Sequence, residues 1–272
     1  MSTGFSDFFN RFRNGKKIPV SFKTISRLDE IVKTYHLRAI GFGNWVTQED
    51  RYNYVMAMFM AFYDLDKVLQ FKKNIGLNGT VSISFGARGK GRAIAHFEPG
   101  TFIINMTRYK DNEVGGSKPY RFLATGGAGA LAHEYGHALD WYFGAYRDLS
   151  IDSQSLSGGG SVAMTLEQNG RSLRTGMDAV MNAIIWKVPG KTPSAYYTRM
   201  KEKHGTPYIL SRCEIFARAF EKYVQFKLAR MGIKNMFLTD TKYDPAVYMT
   251  DTEMANVVPL MDRLLTDMRK VL

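Results

Sequence analysis

His133 and His137 stand four residues apart in ALAHEYGHALD (130–140), and Glu134 directly follows the first. On a helix, residues i and i+4 project from one face, a turn apart. Two imidazoles so placed can share one zinc ion at about 2.0–2.1 Å each. Glu134 is turned about 100° from His133, where it reaches a water on the metal without being a ligand itself. That arrangement suits hydrolysis: the metal lowers the water's pKa and polarises a carbonyl, while the glutamate accepts and then delivers the proton. The motif is short and recurs by chance in helices, but its flanks favour a working site. Leu131, Ala132, Ala138 and Leu139 mark a buried helix, in which two histidines and a glutamate without partners would be costly. Gly126, Gly127 and Gly129 precede it. Such poor helix formers suit a helix start that passes close to another element.

A catalytic zinc usually takes three protein ligands and keeps one position open. The same helix does not supply the third, because the HExxHxxGxxH pattern fails: Asp140 occupies the glycine position and no histidine follows. Asp140, one turn beyond His137, fits better as a support that orients an imidazole N–H; the alternative is a surface ion pair. Among the other histidines, His96 suits packing or a local hydrogen bond, and His204 lies in a Lys-rich, solvated segment. The better source is a carboxylate on a second helix. In SRCEIFARAFEKYVQF (211–226), Glu214, Arg218, Glu221 and Gln225 share one face, opposite Phe216, Phe220 and Tyr223. A polar face among so many apolar residues should meet something polar and enclosed. The alternative is a solvent-facing stripe with a Glu214–Arg218 pair of i,i+4 type.

The elements that must position these residues are legible in outline. Residues 1–17 read as a loosely held basic arm, and 18–40 as a short strand and a helix. Thr47 followed by Asp50 resembles a capping box, and Val55, Phe59, Phe62 and Leu69 then recur at helical spacing. The expectation is a helix over about 48–72 whose Met-rich stripe is core. Three strand candidates follow: VSISF (81–85), AIAHFE (93–98) and TFIINM (101–106). With GARGKGR between the first two and Pro99-Gly100 between the last two, they read as an antiparallel meander. Residues 111–121 are loop-like, and 147–176, with SLSGGGSV, is the best candidate for a lid or insertion. Further helices are expected around 176–187, along SRCEIFARAFEKYVQFKLARMG (211–232) with Gly232 ending it, and along Met254, Val257, Val258, Met261, Leu264, Leu265 and Met268, kinked at Pro259.

Composition limits the partners. The hydrophobic fraction of 45% is that of a globular chain. No run of 18 apolar residues exists, so no membrane-spanning helix and no membrane partner are expected. MSTGFSDFFNRFRNGKK lacks the apolar core of a secretory signal. Cys213 is the sole cysteine, which excludes an internal disulfide and fits a reducing compartment. The net charge is +12, unevenly spread: residues 1–110 hold 17 Lys+Arg against 8 Asp+Glu, whereas 111–272 hold 20 against 17. A basic N-terminal half suggests an anionic partner such as nucleic acid. Arg88, Lys90 and Arg92 in the GARGKGR loop are the candidate anion-binding residues, although the loop lacks P-loop spacing and reads better as a plain hairpin connection.

Five segments in order carry a resemblance: GFGNWVTQEDR, FGARGKGRAIAHFEPG, INMTR, GAGALAHEYGHALD and EIFARAFEKYV. HEYGHALD followed by EIFARAFE looks like the HExxH-plus-Glu metallopeptidases, the gluzincins. Together the segments resemble the zincin-like domain of phage and mobile-element polyvalent proteins, the large polyvalent protein-associated domain 1 family. The resemblance covers roughly residues 40–230 and leaves the first and last 40 residues outside. It implies an α+β zincin-like fold: a small antiparallel or mixed sheet packed on the HExxH helix, with a second helix supplying the glutamate. It implies a lead-in over 1–40, the peptidase domain over 41–232 and a helical extension over 233–272 packed on the same domain.

The resemblance further implies one zinc per chain on His133, His137 and Glu214, with Glu134 as the general base and Glu221 as the fallback ligand. Tyr208, six residues before Glu214, loosely matches the tyrosine that hydrogen-bonds the oxyanion in related gluzincins. Where thermolysin-like enzymes place an aspartate four residues after the ligand glutamate, this chain has Arg218, which is then available to pair with Asp140 or Glu221. Zincin architecture would make TFIINM the edge strand beside the metal helix, open to an extended peptide. The expected function is a zinc-dependent peptidase cleaving a protein or peptide substrate, made by a phage or mobile element. It would act in the host bacterial cytoplasm or be packaged in the virion. The alternative is a virion-associated, DNA-binding or anti-defence accessory protein that keeps a structural metal and works by binding.

Overall fold

The computed structural model describes residues 13–19, 27–88, 94–106, 127–147, 155–158, 173–240 and 243–272. Among these residues the chain is α+β, with helices predominating and three small sheets. It separates into two compact units, one of Met1–Glu134 with Lys227–Thr241 and one of Tyr135–Phe226 with Lys242–Leu272.

The first unit is built on a long helix and a four-stranded sheet. After β1 (Arg13–Asn14), α1 (Leu28–Thr34) and β2 (Ala39–Phe42), helix α2 spans Gln48–Leu69. Thr47 caps α2 by accepting from the Asp50 N–H, as the sequence suggested. The helix stops at Leu69, three residues short of the expected end, because Gln70 turns left-handed at φ 55. Met56 and Met58 of its methionine stripe are buried in the core. Tyr54 stacks on Phe85, and Tyr35 packs against Phe59 and Phe62.

Strands β3 (Ser82–Phe85), β4 (His96–Glu98) and β5 (Ile103–Asn105) complete the sheet in the order β2-β3-β5-β4. This corrects the expected meander. β4 and β5 are antiparallel across the Pro99-Gly100 turn, but β3 pairs with β5, in parallel, and also in parallel with β2. Burial accounts for the order. Ile83 and Ile104 are fully buried, as interior parallel strands require, whereas β4 is only half-buried and suits an edge. TFIINM is therefore an interior strand, and β2 and β4 form the two edges.

A buried polar relay in this unit fixes the start of helix α3 (Leu131–Trp141). Asp64, with no exposed surface, accepts two hydrogen bonds from Arg13 at 2.7 and 2.8 Å and one from Asn235 Nδ2 at 3.0 Å. Asn235 lies on β8 (Lys234–Asn235), paired with β1, and its Oδ1 accepts from the N–H groups of Phe237 and Leu238. The carbonyls of Phe237 and Leu238 in turn accept from the Gly129 and Ala132 N–H groups, donors that a helix start otherwise leaves unpaired. Gly127 and Gly129 both sit at φ +85; a Cβ on Gly127 would lie 1.6 Å from the Met106 carbonyl oxygen. The close passage inferred from these glycines is present, and Gly126 lies outside the described residues.

The second unit continues α3 into a π-helical turn (Tyr142–Arg147) and adds α4 (Leu173–Ile185), the hairpin β6 (Trp186–Val188) and β7 (Thr192–Pro193), α5 (Ala195–His204), α6 (Arg212–Arg230) and α7 (Asp251–Val271). α7 runs unbroken through Pro259 and buries the seven apolar residues read from the sequence. It packs along α4, where Gly176 faces Leu264. Arg199 of α5 clasps Glu253 of α7 with two hydrogen bonds, at 2.7 and 2.8 Å. Of the expected 147–176 lid, residues 148–154 and 159–172 lie outside the described residues.

Candidate metal centre

Helices α3 and α6 bring the chemistry together. His133, His137 and Glu214 each present a ligand atom, and these atoms all lie within 4.8 Å of one another. His137 Nε2 is 3.2 Å from Glu214 Oε1. Two ligands about 2.0–2.1 Å from one tetrahedral zinc stand roughly 3.3 Å apart, so this pair already has the spacing that a shared zinc requires. Two imidazoles and one carboxylate are also the donor set of a catalytic zinc. The three residues therefore fit one ion. Glu134, on the same helix, is 7% exposed.

The approach of the two helices depends on a residue the sequence reading passed over. A Cβ on Gly136 would stand 3.1 Å from Ala217 Cα and 3.2 Å from Phe220 Cδ1. Only a glycine lets α6 lie this close to α3, one residue ahead of His137. Tyr135 and Phe220 then pack on one another beside the crossing. The signal was present in the sequence as a glycine inside an otherwise good helix, where it costs about 1 kcal/mol against alanine and so needs a packing reason.

The supporting residues have specific partners. Arg218 Nη1 donates to Glu214 Oε2 at 3.2 Å, and its Nη2 donates to the Ile209 carbonyl. The pair is buried, at 6% and 7% side-chain exposure, so this face of α6 is not a solvent-facing stripe. Glu221 accepts from the hydroxyls of Tyr243 and Tyr248, at 3.0 and 2.8 Å. It binds the 243–248 segment to α6.

Asp140 is fully buried rather than part of a surface pair, and it accepts from both the N–H and the hydroxyl of Ser157 at 2.6 Å. Burial pushes its carboxyl above the ordinary value, opposed by the two Ser157 donors and by the charges of His137 and Arg174. Arg174 donates to the Ser155 and Leu156 carbonyls, and Arg212 donates to the Ser157 carbonyl and to Asp178. Residues 155–158 are thus held at main-chain and side-chain atoms alike. Gly144 gives them room: a Cβ there would meet the Leu156 nitrogen at 2.4 Å.

Tyr208 stands in the turn ahead of α6 and is 69% exposed. His96 makes the local contact foreseen, to Glu98 at 3.3 Å. Arg88 is ion-paired with Glu98 at 3.0 Å, and Lys90 and Arg92 lie outside the described residues. Among the described residues, no helix is long and apolar enough to cross a membrane.

Residues 200–272 match the large polyvalent protein-associated domain 1 family. The matched segment, about a quarter of the chain, runs from Met200 near the middle of α5 through α6 and α7. It contains Glu214, Arg218 and Glu221 but not the helix of the two histidines. It also takes in the last 40 residues, which the motif resemblance left outside. No curated protein and no solved structure shows a match to the chain.

Proposed function

We propose that the chain is a zinc-dependent peptidase with a zincin-like fold of the gluzincin type, encoded by a phage or mobile element and acting in a bacterial host. The observation that carries this reading is the convergence of His133 and His137 from α3 with Glu214 from α6, beside a buried Glu134. The match to a polyvalent protein-associated domain supports the phage connection.

His133, His137 and Glu214 would hold the ion. When bound, zinc supplies Lewis acidity, polarising the scissile carbonyl and making a water acidic enough to react near neutral pH. Glu134 would take one proton from the attacking water as the water oxygen bonds to the carbonyl carbon. It then gives the proton to the amine nitrogen as the C–N bond breaks. Tyr208, exposed ahead of α6, is the candidate donor to the oxyanion.

Elemental analysis of protein purified without chelator should find about one zinc per chain. Glu134→Gln should keep that zinc and lose cleavage of unfolded protein substrates by roughly 10²–10⁴-fold. Metal-free protein, or a Glu134→Gln variant as active as the parent, would overturn the reading.

A further inference from the structure

We infer that Arg218 is a positioning residue that holds Glu214 to ligation through one oxygen, Oε1, and so keeps a place open on the metal. The inference rests on the metal reading above and concerns how the third ligand is presented.

The two oxygens of Glu214 have separate partners. Oε1 lies 3.2 Å from His137 Nε2, on the ligand side. Oε2 lies 3.2 Å from Arg218 Nη1. Arg218 cannot follow the carboxylate if it rotates, because its Nη2 is fixed on the Ile209 carbonyl and lies 3.8 Å from Met200 Sδ. Rotation of Glu214 to offer both oxygens to a metal would break a charge-assisted hydrogen bond between groups less than a tenth exposed.

The arginine is also an expensive way to fill this space. Its Nε is buried and makes no hydrogen bond among the described residues, which costs about 1–3 kcal/mol. A buried ion pair contributes little to stability compared with apolar packing of the same volume. The arrangement therefore makes most sense through what it does to Glu214. Catalytic zinc needs three protein ligands and one open position. A carboxylate binding through both oxygens, with the water still bound, would make the ion five-coordinate and leave no further position for the substrate carbonyl.

Cobalt(II) substituted for zinc reports coordination number directly: four-coordinate sites absorb visible light several-fold more strongly than five-coordinate ones. Wild type and Arg218→Lys, which keeps the charge, should give the intense four-coordinate spectrum. Arg218→Met should give a several-fold weaker, five-coordinate spectrum. A role confined to folding would lower the melting temperature of Arg218→Met and leave its cobalt spectrum unchanged. A folded Arg218→Met protein with the wild-type spectrum therefore overturns the inference. If Arg218→Met does not fold, zinc X-ray absorption of the wild type decides. A one-oxygen carboxylate supports the inference, and the short zinc–carbon distance of a two-oxygen carboxylate overturns it. Wild type that takes up neither ion removes the metal reading itself, and this inference with it.

Discussion

Replacing Gly136 with alanine puts a methyl group at the crossing of α3 and α6. Its carbon would lie 3.1 Å from Ala217 Cα and 3.2 and 3.3 Å from Phe220 Cδ1 and Cβ. Ordinary carbon contacts are about 3.5–4.0 Å, so the helices must part by roughly half an ångström. The nearest atom is main chain, which cannot swing aside. Overpacking of this kind costs about 1–3 kcal/mol, offset by about 1 kcal/mol for a better helix former. Global stability should fall by about 0–2 kcal/mol, so the variant remains folded. The metal site is less tolerant, because the parting widens the 3.2 Å gap between His137 and Glu214. Zinc affinity should drop roughly 10–100-fold, the range typical when the support of a ligand is disturbed. Competition with a chromophoric chelator measures this, alongside urea denaturation. A folded Gly136→Ala protein that binds zinc within about 2-fold of wild type would show that the helix approach does not set the site.

Two predictions test the frame around the site. Asp64→Asn leaves the Arg13 guanidinium buried without its counter-charge and should cost about 3–5 kcal/mol in chemical denaturation; a loss under 1 kcal/mol would contradict the relay from Asp64 to the start of α3. Pro259 lies on the exposed side of α7 and supplies no N–H to the helix, so Pro259→Ala should stabilise by about 1–3 kcal/mol, read as a higher melting temperature.

Periodicity and capping made the helices legible. Thr47 caps α2 where its spacing to Asp50 placed it, and α7 buries the very residues that recur at helical spacing. The HExxH spacing and a polar face on α6 pointed to the residues that converge. The sheet was less legible. Pro99-Gly100 marks its own hairpin, but nothing local says that β4 must move aside so that β5 can pair with β3. That order is set by which strands are buried on both faces, a property of the assembled fold. Partners that arrive from distant sequence were equally hidden: Ser157 at Asp140, and Tyr243 and Tyr248 at Glu221. Arg218 was expected to reach Asp140 or Glu221, yet it turns to Glu214 on its own helix, where the i,i+4 spacing had already offered a partner.

The hold on residues 155–158 places sequence constraint in an unexpected location. Ser157 is gripped through its N–H as well as its hydroxyl, and Arg174 and Arg212 reach only carbonyl oxygens along the segment. Main-chain atoms are the same whatever the side chain. At residues 155 and 156 it is therefore burial, at 2% and 0% exposure, that limits the side chains, while these bonds constrain Asp140, Arg174 and Arg212 directly. Gly144 joins them, because a side chain there would displace the segment. In a divergent relative the tether would be recognised by those four positions, on α3, the turn after it, α4 and α6, together with Ser157.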